Sequence, residues 1–184
     1  MEATTAAVDL KPQQKTSLVQ GQFEARLRQE FGQSIDVDLL NKGASMLPAN
    51  YNYEIHKTIL KVLQARRGSK YKVSLQFPEG LLLHAGIIAD LVSNFCSDEK
   101  CTVECLILGD VTYGACCIDD LASQKLGCDF IVHYGHSCLV PIPEMTIKNV
   151  LYVFVEIGID IRHILDTISF NIDKNERIFL MGIV

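Results

Sequence analysis

An α/β fold, with a mostly parallel four-stranded sheet and helices on both faces, follows from three observations. Short, almost wholly apolar runs recur along the chain: KVSLQF at 72–77, VECLILG at 103–109, DFIVHY at 129–134 and LYVFVEI at 151–157. Stretches with helical periodicity separate most of them, as crossover connections require. Each of the first three runs ends in a polar, glycine-bearing segment: PEGL at 78–81, DVTYGACC at 110–117 and YGHSC at 134–138. Continuous rather than alternating hydrophobicity marks strands buried on both faces, and sheets of such strands are parallel.

The remaining elements follow in chain order. Residues 1 to about 14 are small, polar and patternless, and are expected to lack structure. Residues 16–31 hold a weak helical pattern through Leu18, Phe23, Leu27 and Phe31. LPANYNYEIHKTILKVLQARR (47–67) is stronger: Pro48 and Asn50 or Asn52 punctuate its start, Ile55, Ile59, Val62 and Leu63 follow helical spacing, and Gly68 ends it. PEGLLLHAGIIADLVSNF (78–95) reads as a helix with Pro78 near its start. Residues 117–126 read as a short helix that Ile118 and Leu121 pin against the sheet, and 160–170 as another helix. RIFLMGIV (177–184) has the pattern of a further strand. A buried parallel strand needs neighbours and a crossover, so a second α/β unit is expected to open there. The expected division is an extension over 1–45, a first α/β domain over 46–174 and the first strand of a second domain over 175–184.

Composition removes several classes of function. Hydrophobic residues make up 48% and charged residues 21%, enough for a sizeable core. A net charge of −5 does not support a non-specific grip on nucleic acid. No apolar run approaches the ~20 residues of a membrane span. The stretch MEATTAAVDLKPQQ has neither the basic nor the long apolar region of a secretory signal. Neither nucleic acid nor membrane is therefore expected as a partner. Seven cysteines, at 96, 101, 105, 116, 117, 128 and 138, are an odd number without a secretory context. They are expected to be reduced thiols in the cytoplasm.

In open parallel sheets, ligands gather beyond the carboxyl ends of the strands. The segments PEGL, DVTYGACC and YGHSC should crowd that edge, where Gly80, Gly114 and Gly135 would let backbone approach a ligand. Several chemistries are compatible with the cysteines and histidines. Cys96, Cys101 and Cys105 have the spacing C-x4-C-x3-C, one residue longer than the plant-type ferredoxin pattern; Cys96 would end a helix and Cys105 lie inside a strand. Cys116, Cys117, His133, His136 and Cys138 are of zinc-binding types, although His133 falls inside a strand, as a core histidine would. Cys116 with His136 could form a nucleophile pair. Cys128 precedes a strand, as a small boundary residue would. Neither a phosphate loop nor a nucleophile elbow occurs in the sequence.

Four longer motifs, LPANYNYEIHKTI, LQFPEGLL, GDVTYGACCIDD and DFIVHYGHSCLVPI, resemble the 2-(3-amino-3-carboxypropyl)histidine synthase family, which carries out the first step of diphthamide synthesis. The resemblance runs from about residue 46 to 184, and the forms YGACCIDD and HYGHSCLVPI are those of its catalytic subunit one. It implies three similar α/β domains, each supplying one cysteine to a single 4Fe-4S cluster whose fourth iron stays open for S-adenosylmethionine. It implies transfer of a 3-amino-3-carboxypropyl group to a histidine of elongation factor 2, with a second subunit and an electron-donor protein as partners. Carried over by motif, the cluster ligand of the first domain is Cys116, and Tyr134, Gly135, His136 and Ser137 are candidates near S-adenosylmethionine. On this resemblance the chain is a partial form, expected to be inactive alone. The alternatives are a non-catalytic module that binds the second subunit or elongation factor 2, and a zinc-binding domain.

Overall fold

A computed structural model describes residues 12–109, 118–135, 137–173, 175–177 and 179. Among these the chain forms α1 (Pro12–Phe31), α2 (Val37–Ala44), β1 (Tyr51–Asn52), α3 (Ile55–Ala65), β2 (Lys70–Gln76), α4 (Ala85–Cys96), β3 (Thr102–Leu108), α5 (Asp120–Lys125), β4 (Phe130–Tyr134), β5 (Val150–Val153), β6 (Glu156–Ile157) and α6 (Ile161–Asn171). The four expected strands pair in parallel, in the order β3-β2-β4-β5.

Alternation along β2 decides what covers each face. Tyr71, Val73 and Leu75, with Phe77 just beyond, join Val103, Phe130, Val132, Tyr134, Leu151 and Val153 in the main core. The helices α3 and α4 close over it with Ile59, Leu60, Val62, Ile88 and Val92, all fully buried. Each such side chain contributes roughly 1.5–3 kcal/mol relative to exposure. Leu27 of α1 and Val37 and Leu40 of α2 belong to the same core, so the segment before residue 46 packs on the sheet unit. The opposite face is thinner. There Ser74 and Gln76 meet Ser123 of α5, and Cys128, Ile131 and Ile147 form a small cluster with Ile118 against it. Helices thus cover both faces, unequally.

Several elements differ from the sequence expectation for local reasons. Pro78 is extended, and the chain after it winds as a 3-10 turn over Glu79–His84 before α4 begins. By length and composition Glu79–Cys96 is apolar enough to cross a membrane. Here its apolar face, with Ile88 and Val92 at 0% exposure, packs against the sheet as a core helix does. LYVFVEI divides at the exposed Phe154. β5 stays in the sheet, while Glu156 and Ile157 turn away and pair antiparallel with Asn52 and Tyr51. Leu121 is 59% exposed and does not pin α5. The sheet beneath α5 is polar, and the buried helix residue is Ser123. Most of RIFLMGIV lies outside the described residues. The sequence reading passed over α2, whose N-cap Asp36 accepts from the amides of Asp38 and Leu39.

Candidate functional site at the carboxyl edge of the sheet

β2 and β4 are neighbours, but the chain leaves them on opposite sides. After β2 it enters α4 over the main core. After β4 it runs over the α5 face, where Ile147 is buried beside Cys128. Diverging continuations of adjacent parallel strands leave a crevice outside their carboxyl ends, the usual ligand position in open α/β sheets.

The described turns do meet there. Gly135 has φ +110, a conformation that favours glycine. Its N–H donates to Val153 O at 2.9 Å, and a Cβ built on it would lie 3.4 Å from Pro78 Cγ. At the end of β3, a Cβ on Gly109 would meet Leu82 Cδ2 at 2.9 Å. Among the described residues, a Cβ on Gly80 would meet nothing within 4 Å.

Beneath the edge, on the α5 face, Leu108, Gln76, His133 and Tyr152 are in register across the four strands. Gln76, at 0% exposure, donates through Nε2 to Asp119 O at 2.8 Å and to Ser123 Oγ at 3.1 Å. Its Oε1 accepts from the Asp119 N–H at 3.1 Å and lies 3.1 Å from His133 Nδ1. The Asp119 side chain caps α5 by accepting from the Ala122 N–H at 2.9 Å. Ser123 donates to Ser74 Oγ at 2.9 Å. The His133 ring also meets Tyr152 edge-on, with centroids 5.9 Å apart.

The other face is aromatic. Tyr134 is fully buried and stacks on Phe77 with centroids 4.4 Å apart. Tyr53 meets Tyr134 edge-on at 6.2 Å, and its hydroxyl is 2.6 Å from His84 Nδ1. Burial pushes the Tyr53 phenol up to about 12 and the Tyr134 phenol higher still, so both stay protonated.

The candidate residues separate accordingly. Gly135 sits on the edge beside Pro78, and Ser137 is exposed. Tyr134 does not present its ring to the edge; it belongs to the core. Cys116 and His136, together with Gly114 and Cys117, lie outside the described residues. His133 is the expected core histidine, 1% exposed. Cys96 closes α4, Cys105 lies within β3, and Cys128 is buried before β4, each as expected. Burial pushes the Cys96 thiol far up, the Cys105 thiol up to about 11, and the Cys128 thiol up as well. Such thiols are poor thiolate donors. Cys138 is half-buried, and its Sγ accepts from the Val140 N–H at 3.5 Å. Among the described residues, no three His, Cys, Asp or Glu side chains gather as a metal site. The described residues alone do not supply the donor set of the implied 4Fe-4S cluster.

Gln76, Ser123, Tyr53 and His84 were not among the candidates. For Gln76 a signal was present: Ser74 and Gln76 alternate with Val73, Leu75 and Phe77 in a strand otherwise read as buried on both faces.

Residues 77–184 match the family described as "Putative diphthamide synthesis protein". The chain belongs to this diphthamide synthesis family. Members similar to it are named 2-(3-amino-3-carboxypropyl)histidine synthase subunit 1. The one from Schizosaccharomyces pombe is 48% identical over 79% of this chain and 31% of its own length. For Saccharomyces cerevisiae the figures are 50%, 79% and 32%, and for Danio rerio 48%, 79% and 36%. The chain thus spans about a third of the length of these family members. Two crystal structures of Dph2 from Pyrococcus horikoshii, the second with a 4Fe-4S cluster, are each 24% identical. They give TM-scores of 0.43 and 0.45 over 64% and 62% of this chain and 30% and 31% of theirs.

Proposed function

We propose that this chain is part of a 2-(3-amino-3-carboxypropyl)histidine synthase. The enzyme transfers the 3-amino-3-carboxypropyl group of S-adenosylmethionine to a histidine of elongation factor 2. The observation that carries the proposal is identity of 48–50% over 79% of the chain to relatives named as subunit 1 of that synthase. Residues 46–174 are, in this proposal, the first of three similar α/β domains, with residues 175–184 opening the next. The working enzyme includes a second subunit, draws electrons from a donor protein and acts in the cytoplasm.

Cys116 is this chain's ligand to the cluster. The burial of Cys96 and Cys128 and the partial burial of Cys105 support that assignment, since burial pushes each of these thiols up, away from the thiolate. When bound, the reduced cluster supplies the electron that breaks the sulfur–Cγ bond of S-adenosylmethionine. The residues of this chain bind and orient. Gly135, His136 and Ser137 form the wall beside the substrate, and Tyr134 backs that wall from within the core. One thiolate cannot hold a cluster, so activity belongs to the whole enzyme and the isolated chain is inactive.

The test is the whole enzyme carrying Cys116→Ser or Cys117→Ser, reconstituted anaerobically. Cys116→Ser is expected to abolish the broad visible absorbance of the cluster and all transfer to elongation factor 2. Cys117→Ser is expected to keep both. The reverse pattern would move the ligand by one residue and overturn the assignment.

A further inference from the structure

We propose that α6 is an interface helix whose apolar stripe covers a second parallel sheet, built by the chain that follows it in the whole synthase. The inference rests on the reading that this chain is part of that longer enzyme. No residue of α6 is buried among the described residues. Ile161, Ile164 and Leu165 are 38%, 39% and 56% exposed, and Ile168 is half-buried. These four positions fall on one face of a helix, at the spacing of a core-facing stripe. The polar bonds of the helix stay within it. Asp160 caps it by accepting from the amides of Arg162 and His163, Thr167 donates to His163 O at 2.7 Å, and Asn171 donates to Thr167 O at 2.8 Å. A helix of 11 residues is marginal in water without packing. Its stripe therefore needs a partner surface.

The first sheet is not that surface. α3 and α4 close its main face, α5 lies on the other, and β6 leaves it to pair with β1. The Gly158 N–H then donates to Asn50 O at 2.6 Å, so α6 sets off from beside the start of α3. The two helices share one plan. α3 is also 11 residues long, and Ile55, Ile59 and Val62, at its first, fifth and eighth positions, are buried under it. The same positions of α6 hold Ile161, Leu165 and Ile168. α3 ends at Ala65 and the apolar strand β2 starts at Lys70; α6 ends at Asn171 and the apolar run RIFLMGIV starts at Arg177. A helix with such a stripe, ahead of such a run, has the pattern of the covering helix of a parallel sheet. The family members are long enough to build one, since this chain spans about a third of their length. A membrane surface fits poorly. α6 carries one arginine against one aspartate, not the basic polar face of an interfacial helix.

Photo-cross-linking and amide hydrogen exchange test the docking, on the whole protein with its second subunit. Leu165→p-benzoylphenylalanine is expected to cross-link within its own polypeptide, to peptides after residue 177. The same probe at Phe170, on the opposite face of the helix and 90% exposed, should not. In the unaltered protein the amides of α6 are expected to exchange as slowly as those of α3. Burial of one leucine is worth roughly 10–100-fold in an equilibrium. Leu165→Ala should therefore speed exchange across α6 about tenfold, and Phe170→Ala should leave it unchanged.

Cross-links from position 165 to β2–β5, to the second subunit or to another copy of the chain would overturn the docking. Leu165→Ala behaving like Phe170→Ala would do the same. Group transfer to elongation factor 2 by the unaltered protein is read in parallel. Transfer together with any of those results overturns the docking alone, whereas absence of both transfer and cluster overturns the reading on which it rests. Where a variant at Leu165 fails to fold, the unaltered protein decides. α6 amides protected like those of α3 support the docking, and amides that exchange like an exposed loop refute it.

Discussion

Replacing Tyr134 with phenylalanine removes one oxygen and keeps the ring. The ring is fully buried and lies nearly parallel to Phe77, at 8° and 4.4 Å. That stacking, worth about 0.5–1.5 kcal/mol, survives the change. The hydroxyl is different. Neither it nor Thr58 Oγ1 makes a hydrogen bond among the described residues, although both are buried. A buried hydroxyl left unsatisfied costs about 1–3 kcal/mol. Thr58 Oγ1 still lies close enough to the phenol to lower its pKa, a weak polar contact short of hydrogen-bond geometry, so only part of that cost is recovered on removal. Tyr134→Phe is therefore expected to be neutral or to stabilise by up to about 1 kcal/mol. For a protein of this size that is a rise in melting temperature of about 2–4 °C. Urea unfolding of Tyr134→Phe, Thr58→Val and the double variant measures the change and the coupling between the two hydroxyls. A loss above about 1 kcal/mol, or a coupling of that size, would show a satisfied hydroxyl and refute the account. Group transfer by the whole enzyme carrying Tyr134→Phe checks its consequence. Activity should persist, and its loss at unchanged stability would return Tyr134 to the substrate.

Two further predictions concern the edge and the alkaline limb. Gly135→Ala forces a side chain into φ +110 beside Pro78. It should destabilise by about 1–3 kcal/mol, read as a lower urea midpoint, and an unchanged midpoint would show that the turn relaxes freely. The second prediction concerns burial, which pushes Tyr53 and Tyr71 up to about 12, Cys105 up to about 11, and Cys96, Cys128 and Tyr134 in the same direction. In the unfolded chain such groups titrate near ~8.5 for cysteine and ~10 for tyrosine. The folded form then holds protons that the unfolded form releases, so stability is full below ~8.5 and falls as pH rises toward the folded values. The urea midpoint should decline across that window, and a flat midpoint refutes the burial argument.

Much of the fold was legible because burial on both faces leaves a simple trace. KVSLQF, VECLILG, DFIVHY and the first half of LYVFVEI are apolar runs, and each became a parallel strand. The second half of LYVFVEI was not legible as a separate element. Glu156 and Ile157 leave the sheet because Tyr51 and Asn52 offer a partner from a distant part of the chain, and periodicity carries no information about distant partners. The same limit applies at Leu121. Helical spacing marks it as a contact, but the sheet beneath α5 presents Ser74 and Gln76 and receives a serine instead. At the edge, the glycine of YGHSC takes the φ +110 turn beside Pro78, whereas nothing in the sequence marked Tyr134, polar on either side in its motif, as packed inside the core. Which face of β4 it occupies depends on strand register, and register is a property of the assembled sheet.

The pairing of Tyr51 with Ile157 and of Asn52 with Glu156 has a consequence for the order of folding. The parallel crossover unit β2-α4-β3 joins neighbouring parts of the chain and can form early. The two-residue ribbon joins points about 100 residues apart, and loop-closure entropy delays such contacts until the intervening chain is already ordered. Two strand residues on each side, with Ile157 half exposed, bury too little to hold the ends together unaided. The ribbon therefore closes last on folding and opens first on unfolding. Its amide protons report whether the sheet between them has been assembled in register.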